Sequence, residues 1–582
     1  MMDHIHNCGS LTKDNVGQVV TLNGWVHDIR VKKFAIFLDL RDRYGLTQII
    51  IKKDDQNFEN LKSLSCESVI QVTGLVVLRK TENPKIKTGA IEVIMQNLEI
   101  LSLAKPLPFV INDENNFTAK EELRLKYRYL DLRRKKMFEI LKFKHEIIQK
   151  IRNFLNHEKF IEIDTPCLTK PTPEGARDFL VPSRRKNAFY ALPQSPQMHK
   201  QLLMISCFDR YYQIAKCFRD EDFRADRQPE FQQLDLEMAF ANQSTVISLV
   251  EKLLAQLWAD LKLEAINFPL ARLSYQEAIA NYGSDKPDLR CTCKLLTFPN
   301  FNNQLILRGF WVADQFNEQT KKAILRIVDQ HNSKNFLVYS KAKDQIIFSN
   351  SPKIKIAQEQ ITAIKNSAPD DATICYLTYE TNNSGAIALG AIRTYYCLDQ
   401  EKQKNHHDFL ANIKKYELLW IVDWPMFELV DDKLSSAHHP FTSPLDPDEV
   451  LAIKNDDYQK LLTIHSAAYD LVLNGYEIAG GSVRIFNKNL QEKIFQILNL
   501  NDQLIQEQFG FFLAAFDYGV PPHAGIAFGL DRFIMILTNS SSIRETIAFP
   551  KNSHGVDLLS NAPSTVDSKQ LDDLKLKILN DK

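Results

Sequence analysis

The sequence predicts a multidomain α+β protein, and three observations carry that assignment. The first 105 residues hold five short strand-like segments separated by turn signals. Beyond about residue 126, helical periodicity alternates with hairpin-like strands. A stretch from 285 to 415 interrupts that pattern with a different composition. At 582 residues the chain has room for several domains, each with its own core.

The five N-terminal segments are Val19–Val26, Phe34–Leu40, Thr47–Lys52, Ser68–Leu78 and Ala90–Ile100, with turn signals at Arg43-Tyr44-Gly45 and Lys87-Thr88-Gly89. Five short strands in residues 1–105 suit an OB-type barrel, which commonly holds single-stranded nucleic acid or sugars on one face. Pro106 and Pro108 stiffen a hinge linker over 106–125. Residues 121–158 read as one helix, with Tyr127, Leu130, Met137, Leu141, Ile148, Ile151 and Leu155 near one stripe. Residues 126–284 then mix strands and helices, with alternation in Gln213–Cys217 and Gln232–Phe240. From 285 to 415 lysine, asparagine and glutamine rise. A helix over Gln319–Gln330 and strands over Phe336–Tyr339 and Gln345–Phe348 mark an inserted α+β domain. The earlier character returns over 416–552, and 553–582 reads as a peripheral strand-and-helix extension.

Composition excludes several classes. Apolar and charged fractions, 44% and 25%, are those of an ordinary globular protein. Lysine plus arginine and aspartate plus glutamate number 72 each, so any nucleic-acid site has to be a local patch. The nine cysteines include no CxxC pair; the lone CxC at Cys291 and Cys293 points to thiols in a reducing compartment rather than to zinc. The N-terminal MMDHIHNCGS has no signal-peptide core, and no apolar run nears the roughly 18 residues of a membrane span. A cytoplasmic protein without membrane contact is expected.

The densest chemistry lies in FRDEDFRADRQPEF, Phe218–Phe231. Apolar, β-rich segments (YYQIAKCF and QQLDLEMAF) flank it, so it reads as the connection of a buried antiparallel hairpin reaching into a site, not as a solvated charge run. Arg219, just past the strand end, can fork onto phosphate oxygens. Phe231 can stack on a base whose edge Gln228 and Glu221 can read. Asp470 and Glu477 face each other across an Asn474-Gly475 turn signal, as a hard magnesium ion bridging phosphates requires, although Glu477 alone is equally an ordinary strand residue. Gly480-Gly481-Ser482-Val483-Arg484 lets backbone approach a ligand and then presents an arginine. Gly529-Leu530-Asp531-Arg532 runs from a strand into an apolar helix, where Arg532 and exposed N–H groups can meet a terminal phosphate. TPEGARDF (Thr172–Phe179) suits a mobile lid. His438-His439-Pro440 has no third ligand at zinc spacing.

Taken together, these segments resemble the class II aminoacyl-tRNA synthetases, and within them the bacterial-type aspartyl-tRNA synthetase family. FRDEDFRADRQPEF is similar to the second class signature, AGIAFGLDRF to the third, and the helix ending in FIEIDTPCLT, with Pro166, to the first, dimer-forming one. TPEGARDFLVPSR, QSPQ, YGSDKPDLR, AHHPFTSP and GYEIAGGSVR resemble the aspartate-specific set. The resemblance spans nearly the whole chain. It implies an N-terminal OB anticodon domain, a six- or seven-stranded antiparallel catalytic sheet flanked by helices, and a ferredoxin-like insertion. It implies that the chain is a homodimer that joins L-aspartate to tRNA-Asp, with tRNA-Asn as a possible second acceptor, using ATP and Mg2+.

The resemblance also assigns residues. Arg219 holds the α-phosphate and the substrate carboxylate, Phe231 stacks adenine, and Asp220, Glu221, Gln228, Gly529, Leu530 and Asp531 belong to the ATP site. Arg532 takes the γ-phosphate, and Asp470 and Glu477 hold magnesium. Arg219, Arg532 and Glu477 carry catalysis. Lys200 and Arg484 face the aspartate side chain, with Asp235, Gln197, Glu174, Ser195 and His438 completing the pocket. Arg30, Phe37 and Gln48 meet the anticodon. Two cations aimed at one small pocket would leave buried charge uncompensated beside a neutral amide, which favours aspartate over asparagine. Asparaginyl-tRNA synthetase shares the architecture, but Lys200 and TPEGARD speak against it. A non-catalytic RNA binder would show erosion of Arg219, Glu477 or Arg532, and all three are present. Two departures stand out. Asp28, Ile29 and Lys32-Lys33 replace the basic run and glycine-rich turn usual after Trp25, and Ala479 replaces the first glycine of a triplet.

Overall fold

Strands β1 (Val19–Val31), β2 (Ala35–Arg41), β3 (Leu46–Lys52), β4 (Val69–Leu78) and β5 (Ile91–Ser102) close into a barrel in the order β1-β2-β3-β5-β4. This computed structural model describes residues 6–56, 58–111, 119–171, 175–299, 305–351, 354, 356–380, 383–398, 415–430 and 432–579. The chain divides into two units, Met1–Leu123 and Arg124–Lys582. In the first, alternation sends Leu22, Ile36, Leu38, Leu40, Ile49, Ile51, Ile70, Val72 and Val93 into one core. All five expected strands form. β1 runs on past Val26 because a bulge between Val26 and Asp28 absorbs the change of register.

In the second unit the single helix expected over 121–158 is three pieces, Glu121–Lys126, Arg128–Asp131 and Lys135–His157. Charge is the reason. The fully buried Asp131 carboxylate accepts from Arg128 at 2.6 Å and Arg134 at 3.0 Å and lies 3.5 Å from Arg124, so the chain turns around a buried ion cluster. Helix Lys135–His157 then buries Met137, Ile140, Ile147, Ile151 and Leu155.

The first catalytic segment contributes β6 (Ile161–Glu162), the hairpin β7 (Leu180–Pro182) and β8 (Phe189–Ala191), β9 (Arg210–Phe218), β10 (Glu230–Ala239) and β11 (Ala271–Ser274). The insertion supplies β12 (Leu296–Thr297), β13 (Ile306–Val312), β14 (Phe336–Ser340), β15 (Gln345–Ser349) and β16 (Ile374–Glu380). With helices Glu318–Gln330 and Gln358–Asn366, strands β13 to β16 follow a βαββαβ succession. Their antiparallel sheet has the order β12-β13-β16-β14-β15. The second catalytic segment adds β17 (Leu418–Pro425), the hairpin β18 (Phe427–Val430) and β19 (Lys433–Ser436), β20 (His465–Leu473), β21 (Tyr476–Val483) and β22 (His523–Gly529).

Both catalytic segments build one sheet, ordered β11-β17-β20-β21-β22-β10-β9-β6. It has eight strands where six or seven were expected, because the short β11 and β6 add parallel pairs at its edges to an antiparallel centre. Leu234, Leu236, Met238, Ile478, Ala524 and Ile526 face helices Lys135–His157 and Gln243–Asp260 in the largest core. Alternation therefore turns Gln233, Asp235 and Glu237 to the opposite face, where the site forms. Ala479, opposite Phe528 in the register, joins that core, so the methyl that departs from the glycine triplet is accommodated. Among the described residues, no helix is long and apolar enough to cross a membrane.

Candidate active site

The charged segment is the connection of the β9–β10 hairpin, closed at its base by the Arg219 N–H donating to the Pro229 carbonyl at 2.9 Å. It borders a cavity of about 250 Å³. Arg219, Glu221, Phe231, Glu477, Gly480, Gly529 and Arg532 line it together, although more than 300 residues separate the ends of that set. The Arg219 guanidinium lies 5.3 Å from the centroid of the Phe231 ring, so a cation and an aromatic face share one wall. Arg532 Nη1 donates to the Glu477 carbonyl at 2.7 Å and Nη2 pairs with Asp226 at 3.1 Å, while its buried Nε has no partner. That orphaned donor awaits an acceptor.

Of the residues assigned to the nucleotide, Asp531 lines the cavity but is also engaged by the protein, whereas Asp220 and Leu530 are not part of its lining. Asp531 is buried, accepting the Gln232 N–H at 2.8 Å and a bond from Lys144, so it fixes the end of the β22 strand against the hairpin. Asp220 pairs with Arg177 across an isolated bridge, at 3.5 Å and outside the cavity. Leu530 is packed in the core. Gln228 lines the cavity, but both ends of its amide are engaged by the backbone of Lys551, at 3.1 and 2.9 Å.

Asp470 and Glu477 converge as expected. Asn474 and Gly475, with φ of 53° and 83°, make the tight turn between β20 and β21. Asp470 pairs with Gly480 in the register, so both face one side. Glu477 and Gly480 are three positions apart, which strict alternation would put on opposite faces. A bulge at Leu471/Val472 brings them together. A Cβ at residue 480 would lie 2.8 Å from Asp470 Oδ1 and 3.6 Å from Glu477 Oε1, so the glycine keeps a cradle open between two carboxylates. Burial, then the neighbouring Asp470, raises the Glu477 pKa. Two repelling carboxylates fit a dication that brings phosphate and water oxygens as its other ligands. Among the described residues no group of three or more His, Cys, Asp or Glu could hold a metal ion by itself.

Further along the same face stands a cluster of four buried ions. Lys200 Nζ lies 2.8 Å from Asp235 and 3.3 Å from Glu237. Arg484 binds Glu237 through Nε and Nη2 at 2.9 and 3.1 Å, and its Nη1 reaches Ser482 Oγ at 2.6 Å and His439 Nε2 at 2.7 Å. Burial and then Arg484 hold His439 neutral, with its pKa well below the ordinary value, so Nε2 accepts from the guanidinium. The expectation of two uncompensated cations is corrected here: Glu237 and Asp235 already neutralise them. Burial raises the Glu237 carboxyl, but Arg484 and Lys200 outweigh it and its pKa is lowered. Asp235 is pushed up by burial to about 6, with Lys200 the main opposing charge and Glu237 adding to the rise.

What the cluster offers a ligand is donors. A lysine has three N–H groups and an arginine five, so each cation keeps one unused. Asp235 Oδ1 and Gln197 Nε2 are buried without partners, as is His438 Nδ1. His438 stacks edgewise on Trp424, with its ring centroid 4.8 Å away. Burial opposes its protonation, but Asp470, 3.8 Å off, holds its pKa above the ordinary value. The sequence reading missed Glu237, His439, Ser482 and Asp226. Glu237 was findable, because alternation in QQLDLEMAF puts it on the face of Asp235.

Ser195 lines a second cavity of about 380 Å³ with Pro166, Leu168, His199 and Phe511. Glu174 and the lid residues Thr172 and Pro173 lie outside the described residues. In the barrel, Arg30 pairs with Asp28 at 3.1 Å and Asp39 at 2.9 Å and donates to Gln48 Oε1 at 3.2 Å, while Gln48 Nε2 donates to Glu92 at 2.7 Å. Phe37 is half-buried on the neighbouring strand β2, opposite Arg30 in the register. Asp28, part of the first departure, thus shares Arg30 with the more buried Asp39.

Comparison with known proteins now decides the family. Residues 120–553 match the family described as tRNA synthetases class II (D, K and N), and residues 20–101 match the OB-fold nucleic acid binding domain. An Aspartate–tRNA(Asp/Asn) ligase of Thermotoga neapolitana is 43% identical, covering 98% of this chain and 99% of its own. An Aspartate–tRNA ligase of Mycoplasma capricolum is 44% identical, covering 99% and 100%. The chain belongs to the bacterial-type aspartyl-tRNA synthetases of class II. Solved structures share the synthetase's fold at low identity. Asparaginyl-tRNA synthetase from Pyrococcus horikoshii complexed with asparaginyl-adenylate aligns at TM-score 0.59 and 19% identity, covering 94% of this chain and 98% of its own. Aspartyl-tRNA synthetase from Entamoeba histolytica aligns at 0.58 and 19%, covering 94% and 91%.

Proposed function

We propose that this synthetase activates L-aspartate with ATP and transfers it to the 3′ end of tRNA-Asp. The observation that carries the aspartate reading is the buried Lys200–Asp235–Glu237–Arg484 cluster on the sheet face that also borders the cavity of Arg219 and Arg532. Its two remaining donors suit a carboxylate, which accepts with both oxygens. An asparagine amide turns an NH2 toward one of them and leaves that buried donor unsatisfied, at about 1–3 kcal/mol. Asp235 Oδ1 supplies an acceptor for the α-ammonium.

In the first step an α-carboxylate oxygen attacks the α-phosphorus of ATP, forming an O–P bond while the bond to pyrophosphate breaks. Arg219 and Arg532 neutralise the charge that builds on phosphoryl oxygens, so positioning and electrostatics do the catalysis. Phe231 stacks the adenine and Glu221 borders it. Asp470 and Glu477 hold Mg2+, whose charge, when bound, screens the phosphates from each other. In the second step the 3′-hydroxyl of the tRNA attacks the aspartyl carbonyl and AMP leaves.

Arg30, Phe37 and Gln48 form the anticodon surface, where Phe37 stacks a base for roughly 1–3 kcal/mol. The protein acts in the cytoplasm as a homodimer joined through Phe160–Thr169. The domains follow the boundaries drawn from the sequence, with catalytic segments 126–284 and 416–552 around the insertion. Charging of tRNA-Asp and tRNA-Asn transcripts with labelled aspartate tests the reading. Aspartyl-tRNA-Asp must form. Charging of tRNA-Asn as well makes the enzyme non-discriminating, and charging of neither refutes the proposal.

A further inference from the structure

The charged loop that borders the cavity does not hold itself in place. Within the loop, Glu221 and Arg227 pair at 3.0 Å, on partly exposed side chains. Its firmer anchors come from a segment more than 300 residues away. Ile543 N–H and Ser542 Oγ donate to the Ala225 carbonyl at 2.9 and 3.2 Å. Lys551 clamps the Gln228 amide from both sides and reaches Glu230 at 3.4 Å. The Phe223 ring rests on Gly555: a Cβ there would lie 2.6 Å from Phe223 Cζ, and the φ of +76° itself favours glycine.

The segment is rigid where it does this. Asn552 Oδ1 accepts the N–H groups of His554 and Val556, both at 2.9 Å. Buried Arg128 grips the carbonyls of Arg544, Ile547 and Ala548 at 3.0, 2.9 and 2.8 Å. Phe223, Asp226 and Gln228 all line the cavity, so the loop face presented to a ligand is set by contacts made behind it.

We propose that residues 542–557 are a latch for the nucleotide loop, and that Phe223 seated on Gly555 is a positioning residue for ATP. The 553–557 stretch, expected to be peripheral, is thereby part of the site's support. The proposal rests on the cavity being the ATP site. Releasing the latch lets the loop drift from the nucleotide while the ion cluster, built on helix Gln197–Ile205, β10 and the residue after β21, stays put.

The test is ATP–pyrophosphate exchange by full-length Phe223→Ala, Gly555→Ala and the double variant, with melting temperatures measured alongside. Each single variant is expected to raise the KM for ATP about tenfold, with the KM for aspartate and kcat within about twofold. The double variant is expected to cost little more than either single, because one contact is lost in all three. An unchanged KM for ATP, equal rises for ATP and aspartate, or additive effects would overturn the latch. Phe223 is half-buried, so its variant tests the idea even where Gly555→Ala fails to fold. Calorimetric titration of the wild type with ATP separates the premises: no binding overturns the nucleotide reading and the latch with it, whereas equal affinity in wild type and variants overturns the latch alone.

Discussion

Lys200 and Arg484 act as hydrogen-bond donors within a neutral cluster, and this changes what their removal does. On the proposed reading Lys200→Leu deletes a donor to the substrate, and it also strands Asp235 in a buried site, a cost on the order of 3–5 kcal/mol. The expected outcome is a KM for aspartate raised far more than that for ATP, together with a lowered melting temperature. Adding Asp235→Asn is expected to restore stability but not aspartate use; equal effects on both substrates would contradict the assignment. Asp235 also sets a pH dependence. Its folded-state pKa, pushed up to about 6 by burial, exceeds the ordinary value of 3.8, so its contribution to stability is present below pH 4 and is lost as pH rises through 6. The stability of the wild type relative to Asp235→Asn should therefore fall by about 3 kcal/mol across that window, as urea unfolding would read it. A flat difference would refute it. The charged residues of the site were legible because motif order and alternation expose them. Their pairing was not, because Glu237 meets Arg484 only across strands that are 247 residues apart.

At the level of elements, the bulge between β20 and β21 and the open Cα of Gly480 make the carboxylate cradle. Gly480→Ala places a methyl between Asp470 and Glu477 with little backbone strain. The expected result is a KM for ATP at least about tenfold higher and a larger Mg2+ requirement, with the KM for aspartate nearly unchanged. Kinetics identical to wild type would contradict the cradle. The barrel strands, the β9–β10 hairpin and the strand-to-helix passage at Gly529 were all readable from local pattern. The break of the helix around Asp131 was not. Apolar periodicity continues through it, and what interrupts it is a buried ion cluster that hydropathy does not register.

At the level of the whole molecule, the short edge strand β6 leaves Ile161 49% exposed, and Leu168, just beyond it, is 52% exposed. An apolar sheet edge of this kind is a ready surface for a second copy. Light scattering should give twice the chain mass for the wild type, and Ile161→Lys with Leu168→Lys should give an inactive monomer. An active monomeric wild type would remove the dimer from the account. The central claim, a buried ion cluster whose spare donors select a carboxylate, is tested most directly by ATP–pyrophosphate exchange with aspartate and asparagine in parallel. Exchange driven by aspartate, with a kcat/KM for asparagine lower by about 5- to 150-fold, as about 1–3 kcal/mol for one unsatisfied donor gives, is the expected result. Equal or faster exchange with asparagine would contradict it.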